Sequence, residues 1–179
     1  YTANTAAADN LAHNATATDV FTYTVSDGAG TTSNTTLTIT VTGKGPVGSA
    51  DSAAVNENVL LSKDAASGVL TNDTGGDQES LAVTNISSND TSATGTAGQG
   101  VLGTYGTLTM AADGSYTYTP NTAAAEALDG GDTVSEKFTY TGKDDEDKNS
   151  STAELTINIT GVNDCLLYTS DAADDLWCG

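Results

Sequence analysis

The chain has 179 residues, enough for one or two domains, and its 24 acidic residues against 5 basic ones, all lysine, give a net charge of −19. That balance excludes nucleic acid, whose phosphates need a basic footprint, and excludes an anionic membrane surface. No run approaches the ~18 apolar residues of a membrane span, so no membrane insertion is expected, and the acid favours hard cations that take oxygen ligands.

Taken in order, the chain opens mid-pattern at Tyr1 with no leader, so it is expected to be an internal piece of a longer protein. Asn4 to Leu11 carries an Ala run behind an Asn or Thr cap and predicts a short helical turn. Residues 1–46 lack the strands that would cover their apolar face, so a hairpin or meander is expected there. Fainter strands follow at Ala53 to Val59, Val69 to Thr71 and Leu81 to Ile86. The glycine-rich stretch Gly95 to Gly106 reads as loop. A phosphate cradle needs a strand before it and a helix after it, and this stretch runs into a strand.

From there the apolar period is two. Leu108 and Met110 alternate with threonines, as do Tyr116 and Tyr118, Phe138 and Tyr140, and Leu155, Ile157 and Ile159 with Thr156, Asn158 and Thr160. A strand with one buried and one wet face needs this alternation. Strands are predicted over 106–110, 114–119, 135–141 and 152–160. Asp113-Gly114 between two alternating runs signals a hairpin turn. Asn121 to Leu128 predicts a second helical turn, the twin of Asn4 to Leu11. About seven strands predict an all-β fold, an antiparallel β-sandwich with Greek-key connections.

The chain also repeats itself. Tyr1, Phe21 and Tyr23 map onto Tyr118, Phe138 and Tyr140, and LTITVTG from Leu37 maps onto LTINITG from Leu155, a period of about 118 residues. The expected organisation is the C-terminal part of one repeat over 1–46 and one complete repeat over 47–164. The remainder, 165–179, is set apart. Residues 165–175 read CLLYTSDAADD, which resembles the translation of a transposon-end sequencing adapter. Both cysteines, Cys165 and Cys178, and Trp177 lie there. This tail is read as non-native and left out of functional reasoning.

GTLTMAADGSYTYTPN, FTYTGKDD and STAELTINITGVND resemble the VCBS repeat and related bacterial cadherin-like domains, and ADSAAVNENVLLS with GVLTND resembles the opening of the bacterial cadherin-like repeat. The resemblance implies an Ig-like, cadherin-like sandwich in a secreted array of a large bacterial surface adhesin. Its partners would be neighbouring repeats of the same chain and a cell-surface glycan or protein. It implies calcium at the domain junctions and no catalytic activity. One departure stands out: the first junction reads GKGP, Gly43 to Pro46, where the second reads GVND, Gly161 to Asp164. Pro46 thus replaces an acid, which weakens a calcium site between the two repeats.

Calcium takes six to eight oxygens from short loops. Three loops offer them: Glu57 between Asn56 and Asn58; Asp73 with Asp77; and Asp144 with Asp145 and Asp147, whose twin is Asp27. By likeness to cadherin, Asp73, Asp77 and Asp144 would share one pole, and Glu57 and Asp164 the other. An EF-hand is rejected at residues 145–149, because Ser150 and Thr156 stand where its Gly and Glu belong. The single His13 lies outside the complete repeat, and no hydrolase, zinc or cysteine motif is present, so the chain is read as not an enzyme. A Lys–Asn crosslink through Lys137 is a remote alternative. Carbohydrate binding by a lectin-like module, through an aromatic such as Tyr105, is the alternative to a spacer. The other tyrosines fall on the inward register.

Overall fold

A computed structural model describes residues 1–75, 80–144 and 150–163. Residues 16–42 form a hairpin of two long strands, β1 (Thr16–Ser26) and β2 (Thr32–Thr42), paired antiparallel from Thr16–Thr42 to Ser26–Thr32. Ahead of it lies one turn of helix, α1 (Ala6–Asp9), capped by the Thr5 side chain. Among the described residues, β1 and β2 pair only with each other.

The remaining strands build two sheets. The larger has the order β3 (Asp51–Asn56), β11 (Ser150–Thr160), β10 (Thr133–Asp144), β5 (Leu81–Ser88) and β6 (Thr94–Thr96). The smaller has the order β4 (Leu61–Lys63), β9 (Tyr116–Pro120), β8 (Gly106–Met110) and β7 (Gly100–Leu102). The chain crosses between sheets after β3, β4, β6 and β9. All pairings are antiparallel except β3 with β11, which run side by side in the same direction. The all-β sandwich expected from the alternation is the fold observed.

The inward side chains of the two sheets meet in one core. Leu108, Met110, Tyr116 and Tyr118 from the smaller sheet face Val83, Ile86, Phe138, Tyr140, Leu155, Ile157 and Ile159 from the larger. Tyr118 and Phe138 pack edge to face, 6.3 Å between centroids. Removing a buried Leu, Phe or Ile of this kind from water contributes roughly 1.5–3 kcal/mol each. The β8–β9 turn is made by Asp113 and Gly114. The Asp113 carboxylate accepts from Ser115 N–H, and Gly114 sits at φ +81°, where a Cβ is strained.

Three local expectations differ from the structure. Val69–Thr71 is a 3₁₀ turn rather than a strand. Val69 is buried in the core while its N–H donates to Gly114 C=O in a crossover, so its apolar character reports burial and not strand pairing. Gly95 to Gly106 contains β7 and part of β6, whose glycines erase the alternation that would reveal them. Asn121 to Leu128 closes as hydrogen-bonded turns, with the Thr122 hydroxyl accepting from Ala125 N–H, and does not reach a full helix.

Candidate functional site

The two ends of the sandwich hold the acids that the sequence singles out. Asp73 and Asp144 lie at the end where the chain enters, and Glu57 at the end where it leaves. Asp77, Asp145, Asp147 and Asp164 lie outside the described residues. Among the described residues no three acid, histidine or cysteine side chains converge as a ready metal cage.

At the exit end, β3 finishes beside β11, and Glu57 N–H bonds Thr160 C=O. Asn58 follows at φ 62°, which turns the chain away and leaves the Glu57 side chain pointing inward. Glu57 is 1% exposed. Its Oε1 accepts from Val162 N–H, in the GVND linker, and its Oε2 is buried with no hydrogen-bond partner. A carboxyl oxygen buried without a partner is costly, so such an atom marks a place where a further group belongs.

At the entry end the geometry is different. Asp73 Oδ1 accepts from Ser49 N–H at 2.6 Å, and Asp73 Oδ2 lies 2.9 Å from the Tyr140 hydroxyl. The same hydroxyl lies 2.9 Å from Asp51 Oδ2, 3.1 Å from Val69 C=O and 3.4 Å from Ser49 C=O. Every neighbour is an acceptor, and a phenol has one hydrogen. If Tyr140 donates to Asp73, Asp51 hydrogen-bonds the phenol only by carrying a proton itself. Burial pushes the Asp51 carboxyl up, and the charge of Asp73 adds to the push, against the lowering by the Tyr140 and Asn72 bonds. Burial and the two carboxylates likewise raise the Tyr140 phenol far above its ordinary range. Asp73 is thus a clamp that ties the entry segment and the crossover to β10. Asp51, which sequence reasoning missed, is its partner.

Asp144 is 5% exposed at the end of β10 and lines a cleft with Asp9, Leu11, Lys44 and Gly45. Asp27, its twin, is exposed and caps the β1–β2 turn. Its Oδ1 accepts from Ala29 N–H at 2.7 Å and Thr31 N–H at 3.1 Å, and these bonds lower its carboxyl below the usual range.

A fully buried acid was missed as well. Glu136, 1% exposed, faces inward from β10, bonded to the Tyr118 hydroxyl and accepting from Tyr105 N–H. Burial pushes its carboxyl up, against the lowering by those bonds. Tyr105 itself packs partly against the core. Lys137 holds Glu154 at 2.7 Å on the outer face with half its side chain in water. An amine half in water and held by a carboxylate is a surface ion pair, not a group buried against an asparagine for a crosslink.

The repeat extends to side-chain contacts. Tyr1 packs edge to face on Phe21 at 6.0 Å, as Tyr118 does on Phe138. The Tyr1 hydroxyl bonds Asp19, as Tyr118 bonds Glu136. The closing turn is copied too: Asn14 N–H to Gly43 C=O and Gly43 N–H to Ala15 C=O reappear as Gly131 to Gly161 and Gly161 to Asp132.

No curated protein matches the chain. Among solved structures, an endo-fucoidan hydrolase from glycoside hydrolase family 107 is similar at 21% identity and a TM-score of 0.37, over 86% of this chain and 19% of that one. Set beside that match, the reading of the chain as not an enzyme is withdrawn. Motifs missing from a stretch of this length are missing from the stretch alone, and a repeat can share a polypeptide with a catalytic domain. At that TM-score, and across 19% of the hydrolase, the likeness carries no activity to this chain either. Residues 44–161, which hold both sheets, Glu57 and the Tyr140 clamp, match the bacterial cadherin-like domain, and the chain belongs to that family.

Proposed function

We propose that the chain is a spacer segment of a tandem array in a secreted bacterial surface adhesin, of the VCBS type, with residues 1–46 closing one repeat and 47–164 forming the next. The duplicated contact set carries this reading. The register, the tyrosine–acid bond, the ring contact and the closing turn recur at one period, as units copied along an array do. No described helix is long and apolar enough to cross a membrane, and the strong acidity suits an exposed chain outside the cell. Calcium bound at the exit end stiffens the array. The support is the partnerless Oε2 of Glu57 beside the linker that carries Asp164. The carbohydrate-binding alternative has less support, because Tyr105 is partly spent on the core.

The test is thermal unfolding of the whole chain with calcium and then with chelator at constant ionic strength. A ligand that binds only the folded state adds about 2.7 kcal/mol at ~100-fold over its dissociation constant. Calcium is expected to raise the midpoint, and Glu57→Gln to remove the rise. Equal midpoints in calcium, magnesium and chelator would leave the array without its metal.

A further inference from the structure

The face of the β1–β2 hairpin made by Phe21, Tyr23, Val25 and Leu37 is about half exposed, between 47% and 52% for each residue. Its twin on β10–β11 is closed: Phe138, Tyr140 and Leu155 are 0–1% exposed. The cross-strand pairs correspond one for one, Phe21–Leu37 with Phe138–Leu155 and Asp19–Ile39 with Glu136–Ile157. What covers the twin is therefore on the page. It is the segment 47–117, which lays β8 and the start of β9 over the rings, adds β3 in parallel to β11 and adds β5 antiparallel to β10. On the hairpin, the outer edges of β1 and β2 that correspond to those pairings carry no strand among the described residues.

The inner faces are alike but their polar needs differ. Asp19 already has the Tyr1 hydroxyl, as Glu136 has Tyr118. The Tyr140 hydroxyl is met by Asp51 and Asp73, both from the covering segment. Tyr23, its twin, is 52% exposed, and no described residue stands to its hydroxyl as Asp51 and Asp73 stand to Tyr140. A covering segment without acids there would leave the phenol only backbone carbonyls, the counterparts of Val69 and Ser49 C=O, to receive its hydrogen.

We propose that the apolar face of β1–β2 is an acceptor surface for a chain segment of the kind formed by residues 47–117, and that Tyr23 is the residue that reads it, through a pair of aspartates placed as Asp51 and Asp73 are. This rests on the reading of residues 1–46 as the closing part of a repeat. It adds the rule of recognition: among covering segments of similar apolar pattern, those lacking the acid pair dock more weakly.

The test keeps the full chain and adds a second copy of residues 47–117 ahead of Tyr1. Amide exchange is then read at residues 16–42 with and without the addition. Docking is expected to slow exchange there by at least about 100-fold. In the extended chain, changing the added copy's counterparts of Asp51 and Asp73 to Ala should restore most of the fast exchange, and Tyr23→Phe should make that change matter less. In the unextended chain Tyr23→Phe should alter nothing. Exchange equally fast in both chains overturns the acceptor surface. Slowed exchange that is indifferent to the acid pair overturns the role of Tyr23 and leaves the repeat reading standing. Neither outcome depends on calcium, so failure here is distinct from failure of the metal.

Discussion

The hairpin β1–β2 and its twin β10–β11 carry nearly the same inward residues, the same register and the same tyrosine–acid and ring contacts. They differ in what lies over them. Phe138 is fully buried and Phe21 is half in water. Pairing, register and turns are therefore local properties of this sequence, while burial belongs to the rest of the repeat. A two-stranded ribbon can be specified by its own residues, but its stability comes from a third layer of contacts.

The comparison breaks most visibly at the rings. Phe138→Ala should cost about 3–5 kcal/mol in denaturant unfolding, the range for emptying a buried aromatic site. Phe21→Ala should stay within ~0.5 kcal/mol, as surface changes do. Equal costs would mean that the hairpin is covered in solution. Next come the hydroxyls. Tyr140→Phe removes the hydroxyl that joins Asp73 and Asp51 and should cost about 1–3 kcal/mol, while Tyr23→Phe should leave the unfolding curve in place.

A smaller effect sharpens the hydrogen count at Tyr140. The folded carboxyl of Asp51 is raised, so its contribution to stability is full below the unfolded value of about 3.9 and is lost as pH rises through the folded value. Asp51→Asn supplies the hydrogen at every pH. Its midpoint should fall less than the wild type's between about pH 4 and 7 and should not lie below it at neutral pH. Identical slopes would show that Asp51 carries no proton in the fold. The smallest effect is at the β1–β2 turn: Asp27→Ala should speed amide exchange at Ala29 and Thr31 without moving the unfolding midpoint of the sandwich.

Much of this architecture is legible because alternation over five or more residues has one physical cause. Gly106 to Met110, Glu136 to Tyr140 and Leu155 to Ile159 point alternately into a core and away from it, and each falls in a strand. Three-residue strands such as Leu61–Lys63 are too short to alternate, and glycines hide Thr94–Thr96 and Gly100–Leu102. At the candidate site, Glu57 stood out as an acid in a cadherin-like opening. Asp51 and Glu136 did not, because an acid on an inward register contradicts the pattern that finds the core. A signal for Glu136 was present all the same, since Asp19 occupies the same inward position in the other copy. The need of a buried tyrosine hydroxyl for a partner likewise pointed to an acid near Tyr140.

The parallel pairing of β3 with β11 has a mechanical meaning. The chain enters the sandwich at the start of β3 and leaves it at the end of β11, and the two strands lie side by side from Asp51–Leu155 to Asn56–Thr160. Tension along an array would pull β3 and β11 past one another lengthwise, so their cross-strand bonds would bear the load together and not open one at a time from an end. Glu57, holding Val162 N–H just past that patch, sits where the load passes from the sandwich to the linker.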